Sequence, residues 1–415
     1  MPRSKFWILV AGSLIIALLI EFGPWFGGRS PPAAPSSPSN SVPAKLRTLV
    51  KSPALLGPQS LPDGSRKVEI CGFGKVTVDP TDPMAASTYV GARAEKAAQK
   101  WLSALLNSDD YRARAVGLFL EGKIDGGATV QPMTEQARES LVQLAVGTAD
   151  PAVYATALYA CGAGFSDPAN AACRQISADG WARRDPDNAV PWLLLAGKAR
   201  DKHDVAAEAQ AFSRAAKASM SNSYAFSMYA FAEPELPGDL TPTERSYLAV
   251  EVIGIEAAIA QNEFNVASKH CSTEAIADGN VRQQCGSLAE LWVTRGTTLL
   301  DFGIGTNIGA RAGWPAQKVS DLKMERDALM QVITQTGPAS NDDTWSCDAV
   351  QRGNAYVSRM ARMGEMGAMR DVLERSGETV PELAQKWADH MEKIRREAEQ
   401  QFPSAPADTS ESSPD

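Results

Sequence analysis

Histidine is scarce in this chain of 415 residues, which holds only His203, His270 and His390. A histidine-based metal cluster or proton relay has few places to form, although carboxylate chemistry stays open. The six cysteines include no C-x-x-C pair, which excludes zinc-ribbon and thioredoxin-type motifs. A phosphate loop is also lacking, because Gly72-Phe73-Gly74 is not followed by a helix-opening Lys-Ser or Lys-Thr. No run of basic residues offsets the formal net charge of −8, so a phosphate backbone would be repelled and nucleic acid is not an expected partner. Nothing in the sequence calls for a cofactor.

What is present begins with an address. Arg3 and Lys5 precede an apolar run from Phe6 to Ile20, and Phe22, Trp25 and Phe26 follow Glu21. Counted through Phe26, the segment approaches the ~20 residues that cross a bilayer. A cleaved signal peptide would want small residues just past the run, where Glu21, Phe22, Pro24 and Trp25 stand instead. Trp25 and Phe26 suit a membrane interface, so residues 1–28 read as a retained signal anchor. Arg3 and Lys5 favour a cytoplasmic N-terminus and an exported, periplasmic body, a signal blunted by Arg29, Lys45, Arg47 and Lys51 beyond the span. The membrane is thus one expected partner. Residues 29–60, rich in Pro, Ser and Ala, cannot bury enough apolar surface to order themselves and read as a semi-extended spacer. Residues 403–415 share that character and read as a disordered acidic tail, leaving 61–402 as the folded body.

In an oxidising compartment Cys71, Cys161, Cys173, Cys271, Cys285 and Cys347 would form disulfides by default. The cytosolic alternative is six buried free thiols. Spacing narrows the pairings. Between Cys161 and Cys173 the run Gly162-Ala163-Gly164-Phe165-Ser166-Asp167-Pro168 carries a helix stop followed by a helix start. Cys271 and Cys285 bracket a similar break at Asp278-Gly279-Asn280, and elimination pairs Cys71 with Cys347.

Arg66 to Val78 is the one strand-like stretch: Val68 and Ile70, then Val76 and Val78, alternate around a Gly72-Phe73-Gly74 turn, which predicts a small hairpin or strap. After Asp82-Pro83 the pattern is helical nearly to Gln401. The clearest helices run over Ala85–Leu106, Thr134–Val146, Ala152–Ala160, Glu244–Ala260, Val281–Leu300, Lys318–Thr336 and Glu382–Glu399. Mostly short connections make successive helices antiparallel neighbours, and the fold class is all-α with an N-terminal β-hairpin or strap.

One segment carries a repeat signature. Asp185-Pro186-Asp187-Asn188 opens it, Trp192, Leu195, Ala196 and Ala199 follow, and Phe212 and Ala215 come further on. This unit, Asp185 to Met220, resembles a tetratricopeptide repeat, in which large residues of one helix meet small residues of the next. It departs from that pattern at Glu208, where the second helix should begin with Ala, and at Ala199, the tyrosine position of the first helix. A weaker copy places Gly364 at an inter-helix turn, Leu373 at the aromatic position and Pro381 at the closing proline. Cys161-Gly162 and Phe165 loosely echo a further unit one repeat before Trp192. The resemblance implies stacked helical hairpins with a groove for a peptide or partner protein, and membrane-anchored envelope proteins of this family share the layout of anchor, spacer and helical body.

Several residues invite chemistry. Met360, Met363, Met366 and Met369 recur every third residue, and thioethers favour Cu(I), so a copper-handling role is one reading. Packing of a helix pair is the other, because Met fills irregular gaps. His270 beside Cys271 suggests a Cys–His nucleophile, but neighbours on a helix point apart. Gly305, Gly309 and Gly313 lie at helical spacing before Trp314-Pro315 and would let another helix approach closely. Trp181, Trp192 and Trp292 could serve the groove of a cell-wall or peptide hydrolase, and equally the core. No catalytic or metal-ligating residue stands out. The expected function is a membrane-anchored adaptor binding a protein or peptide, with a disulfide-stabilised hydrolase as alternative.

Overall fold

A computed structural model of the chain describes residues 66–79, 85–124, 133–162, 171–259, 261–336 and 344–401. The anchor at 1–28, the spacer at 29–60, the tail at 403–415 and the Ser166–Pro168 turn lie outside the described residues. Among the described residues no helix is long and apolar enough to cross a membrane.

The fold is all-α with an N-terminal β-hairpin. Strands β1 (Arg66–Ile70) and β2 (Gly74–Val78) pair antiparallel with Val68 opposite Val76. Alternation puts Val68, Ile70 and Val76 on one face, where they pack on Val90, Trp345 and Val350. Cys71 N–H donates to the Trp345 carbonyl at 2.9 Å and the Thr243 hydroxyl donates to the Cys71 carbonyl at 2.6 Å, so segments distant in sequence hold the hairpin turn.

Helices α1 (Ala85–Leu106), α2 (Tyr111–Leu120), α3 (Glu135–Gly147) and α4 (Pro151–Gly162) pack in succession around Trp101, Phe119, Leu141 and Tyr154. A second group comprises α5 (Ala178–Arg184), α6 (Ala189–Asp201) and α7 (Val205–Ala215). After the short α8 (Met228–Ala232) come α9 (Pro242–Ala257), α10 (Asn262–His270), α11 (Gly279–Arg295) and α12 (Leu299–Arg311). Leu193, Phe212, Phe264, Leu288 and Trp292 unite α6, α7, α10 and α11 in one core. The chain ends with α13 (Ala316–Thr336), α14 (Cys347–Ser376) and α15 (Val380–Gln401). Helix α14 does not continue outward: it packs on α8 and α9, and α9 packs on α1. The C-terminal part thereby returns to the first helices, where the Cys71–Cys347 disulfide closes it.

The predicted helix over Val281–Leu300 is two. Helix α11 stops at Gly296, and Thr298 starts α12 with a capping box whose other half is Asp301. Helix α14 is interrupted at Gly364, whose φ of 74° and ψ of 169° are left-handed and non-helical, so a break stands where the weaker repeat placed its turn. Leu373 packs against the cluster of Phe302, Leu329, Met366 and Met369, and Pro381 sits in the first turn of α15.

Candidate functional site

The repeat-like unit is built on its opening tetrapeptide. Asn188 caps α6, accepting from Val190 N–H at 3.2 Å, and is fully buried. Its amide also donates to Asp185 and to the Asn222 carbonyl, each at 2.7 Å, and its oxygen accepts from Asn222 N–H at 3.0 Å. Asp187 accepts from Ser219 and Met220 N–H, and the Tyr224 hydroxyl donates to Asp185 at 3.1 Å. The segment that leaves α7 is therefore pinned to the segment that enters α6, which fixes how the two helices meet. Tyr224 holds a φ of 58°, an unfavourable value for a residue with a side chain, and its N–H bond to Asn222 Oδ1 at 2.8 Å helps hold it there.

Both departures from the repeat pattern have structural consequences. Glu208 accepts from Arg200 Nε at 2.9 Å and lies 3.3 Å from His270 Nδ1, so it joins α6, α7 and the end of α10. His270 stacks on Phe212 at 3.6 Å between ring centroids, and burial holds its imidazole below the usual pKa. Ala199, in the tyrosine position, lines an open groove on the opposite side of the hairpin from α10. A tyrosine ring there would fill part of it.

That groove has a volume of about 420 Å³. Leu195, Ala199, Ala207 and Ala211 give it an apolar floor and half-buried Trp192 one wall. Trp192 is fixed by an indole N–H bond to the Pro186 carbonyl at 2.8 Å, with Arg214 over its ring. Lys198, Lys202 and Arg214 stand at its edges, together with Asp179 and Asp204. Asp179 is paired with Arg183, and Asp204 accepts from Ala207 N–H at 3.0 Å as the N-cap of α7. Neither Lys198, Lys202 nor Arg214 has a carboxylate within ion-pair distance among the described residues.

Apart from Trp192, the residues nominated from sequence fall elsewhere. All six cysteines are in disulfides, Cys161–Cys173, Cys271–Cys285 and Cys71–Cys347. Cys271 has no thiol with which to attack, so the Cys–His reading ends there. Met366 and Met369 are buried against Phe302 and Leu329, whereas Met363 is 52% exposed, so the methionine series is divided between core and surface. Trp181 and Trp292 are core residues and only Trp192 reaches a groove. Gly305 alone admits a neighbouring helix: a Cβ there would stand 2.9 Å from Trp292 Cβ. Gly309 makes room for the Trp314 ring, and Gly313 turns the chain with a φ of 93°.

Four acids have no signal in the sequence: Glu256, Glu263 and Asp301, which are buried, and Glu365, which is partly buried. Glu256 accepts from Tyr229 N–H at 2.9 Å at the start of α8, and Glu365 accepts from Leu299 N–H at 3.0 Å at the start of α12. Asp301 accepts from Thr297 and Thr298 N–H, each at 2.9 Å, and Glu263 lies in the first turn of α10. Burial pushes Glu256 and Glu263 up to about 8, Glu365 to about 7 and Asp301 to about 6, and each of the first three is raised further by another acid of the group. Glu263 Oε1 is buried without a hydrogen-bond partner. None of the four lines the groove. Their carboxylates meet helix N-termini, where backbone N–H groups favour negative charge.

Comparison with protein-family models, with curated proteins and with solved structures gives no match to the chain.

Proposed function

We propose that the chain is a membrane-anchored, extracytoplasmic adaptor that binds a protein or peptide partner in the α6–α7 groove. The observation that carries this reading is the groove itself: an apolar floor bordered by three cations that find no carboxylate within the described part of the chain. A surface of that kind suits a contact with apolar anchors and a charged rim. The Phe6–Ile20 run would tether the chain, and the 29–60 spacer would hold the body off the bilayer. The three disulfides fit an oxidising compartment. The hydrolase alternative wants a raised acid facing a cleft, and the four raised acids lie away from the groove, three of them accepting from N–H groups of other residues near helix starts.

Affinity capture from crosslinked membranes tests the reading. One reproducible partner, lost on Ala207→Trp, is the expected result. Recovery of the same background with and without the chain, across growth conditions, would contradict it.

A further inference from the structure

Resting on the adaptor reading, we infer that the α6–α7 groove receives one acidic, amphipathic α-helix of a partner protein. The hairpin has two broad faces. Leu193, Ala196, Phe212 and Ala215 form the covered one, packed in a single core with Phe264 and Ala267 of α10 and Leu288 of α11. The other carries Ala199 and Ala207, with Trp192, Leu195 and Ala211 at the seam, where they line the groove and also pack on that core; α5 reaches only its margin, through Asp179. The same pair of helices thus already accepts helices on one side and offers a second seat on the other.

The shape of this seat suits a helix. Trp192, Leu195 and Ala199 follow one stripe of α6, with Lys202 at its C-cap, and Ala207, Ala211 and Arg214 follow one of α7. The alanines within the two stripes leave a trough into which a ridge of larger side chains can pack. From Trp192 to Lys202 the trough runs about 15 Å, roughly three helical turns.

Charge selects the occupant. Lys198, Lys202 and Arg214 border the trough on a molecule whose formal net charge is −8. The two acids at the rim are already engaged, Asp179 by Arg183 and Asp204 by the N-terminus of its own helix. A helix whose apolar stripe is flanked by Glu or Asp would satisfy the three cations, and one flanked by Lys would be rejected.

The test uses the full-length chain in mild detergent with two synthetic helical peptides of about 18 residues. Both carry Leu at i, i+3, i+4 and i+7, one with Glu flanks and one with Lys flanks. The Glu peptide is expected to bind, to weaken roughly tenfold or more in Lys198→Glu/Lys202→Glu, and to lose binding in Ala207→Trp. Circular dichroism and melting of both variants check that the fold is kept. Equal binding of the two peptides, or Glu-peptide binding indifferent to both variants, overturns the inference. In cells, a photo-crosslinker at Leu195 or Gln210 should link to an acidic helical segment, with Val146 and Met363 as control positions. Adducts confined to the control positions would overturn the groove assignment, in this inference and in the proposed function alike, and leave only a partner bound at another surface. Adducts between two copies of this chain would put a second copy in the groove and also overturn it. An absence of adducts from every position would remove the adaptor reading itself.

Discussion

Asn188 is fully buried and its side chain makes four hydrogen bonds, to Asp185, Val190 and twice to Asn222. Asn188→Ala would leave Val190 N–H and Asn222 N–H without that acceptor inside the protein. The expected cost is about 2–4 kcal/mol, read as a lower urea midpoint with an unchanged slope. Glu263 makes a second prediction at this scale. A carboxyl whose pKa is higher in the folded chain binds its proton more tightly there, so it loses stability as pH rises from the unfolded value to the folded one. For Glu256 and Glu263 that window runs from the ordinary 4.5 to about 8. His270, held below its usual 6.5, acts in the opposite sense at lower pH, so the clean interval is roughly pH 6.5 to 8. Stability should fall across it, and Glu263→Gln should flatten the fall and raise stability at pH 8 by on the order of 2 kcal/mol. A wild-type curve that is level over this interval would contradict the assignment. None of these acids was legible in sequence, because a Glu on an amphipathic helix looks the same whether its face meets water or another helix start.

At the scale of elements, much was legible where local chemistry decides. The hairpin was readable because valine alternation and the Gly72-Phe73-Gly74 turn agree, and β1 and β2 fill the predicted stretch. Helix α1 spans the predicted Ala85–Leu106 because apolar periodicity runs through it unbroken. The break between α11 and α12 was missed although its signal was present: Thr298 and Asp301 are spaced as a capping box, but Leu299 and Leu300 prolonged the apolar pattern across it. The α6–α7 groove was not legible, because Lys198, Lys202 and Arg214 look like ordinary solvated side chains until the pairing of two helices sets them around one trough. The spacing of Gly305, Gly309 and Gly313 predicts one close-approach stripe, yet of the three only Gly305 touches a neighbouring helix. Gly305→Leu should force α12 off Trp292 and cost about 2 kcal/mol, whereas the same change at Gly313 should act through its left-handed φ and leave the α11–α12 contact intact. Trp292 fluorescence together with thermal melts would separate the two.

At the scale of the whole molecule, the long bridge matters most. Cys71–Cys347 spans 276 residues and ties the hairpin to the start of α14, against bridges of 12 and 14 residues elsewhere. Chain-entropy reasoning gives the long closure about 5–6 kcal/mol, more than either short one. Replacing Cys71 and Cys347 by Ala should therefore lower the melting temperature more than replacing either short pair. As proposed, this body works in an oxidising space outside the cytosol, held there by its N-terminal segment. Thiol trapping measures that most directly: cells are quenched in acid, the chain is denatured with a maleimide reagent, and labels are counted by mass. No label is expected without reductant, and six after reduction. Six labels on the unreduced chain would contradict the proposal.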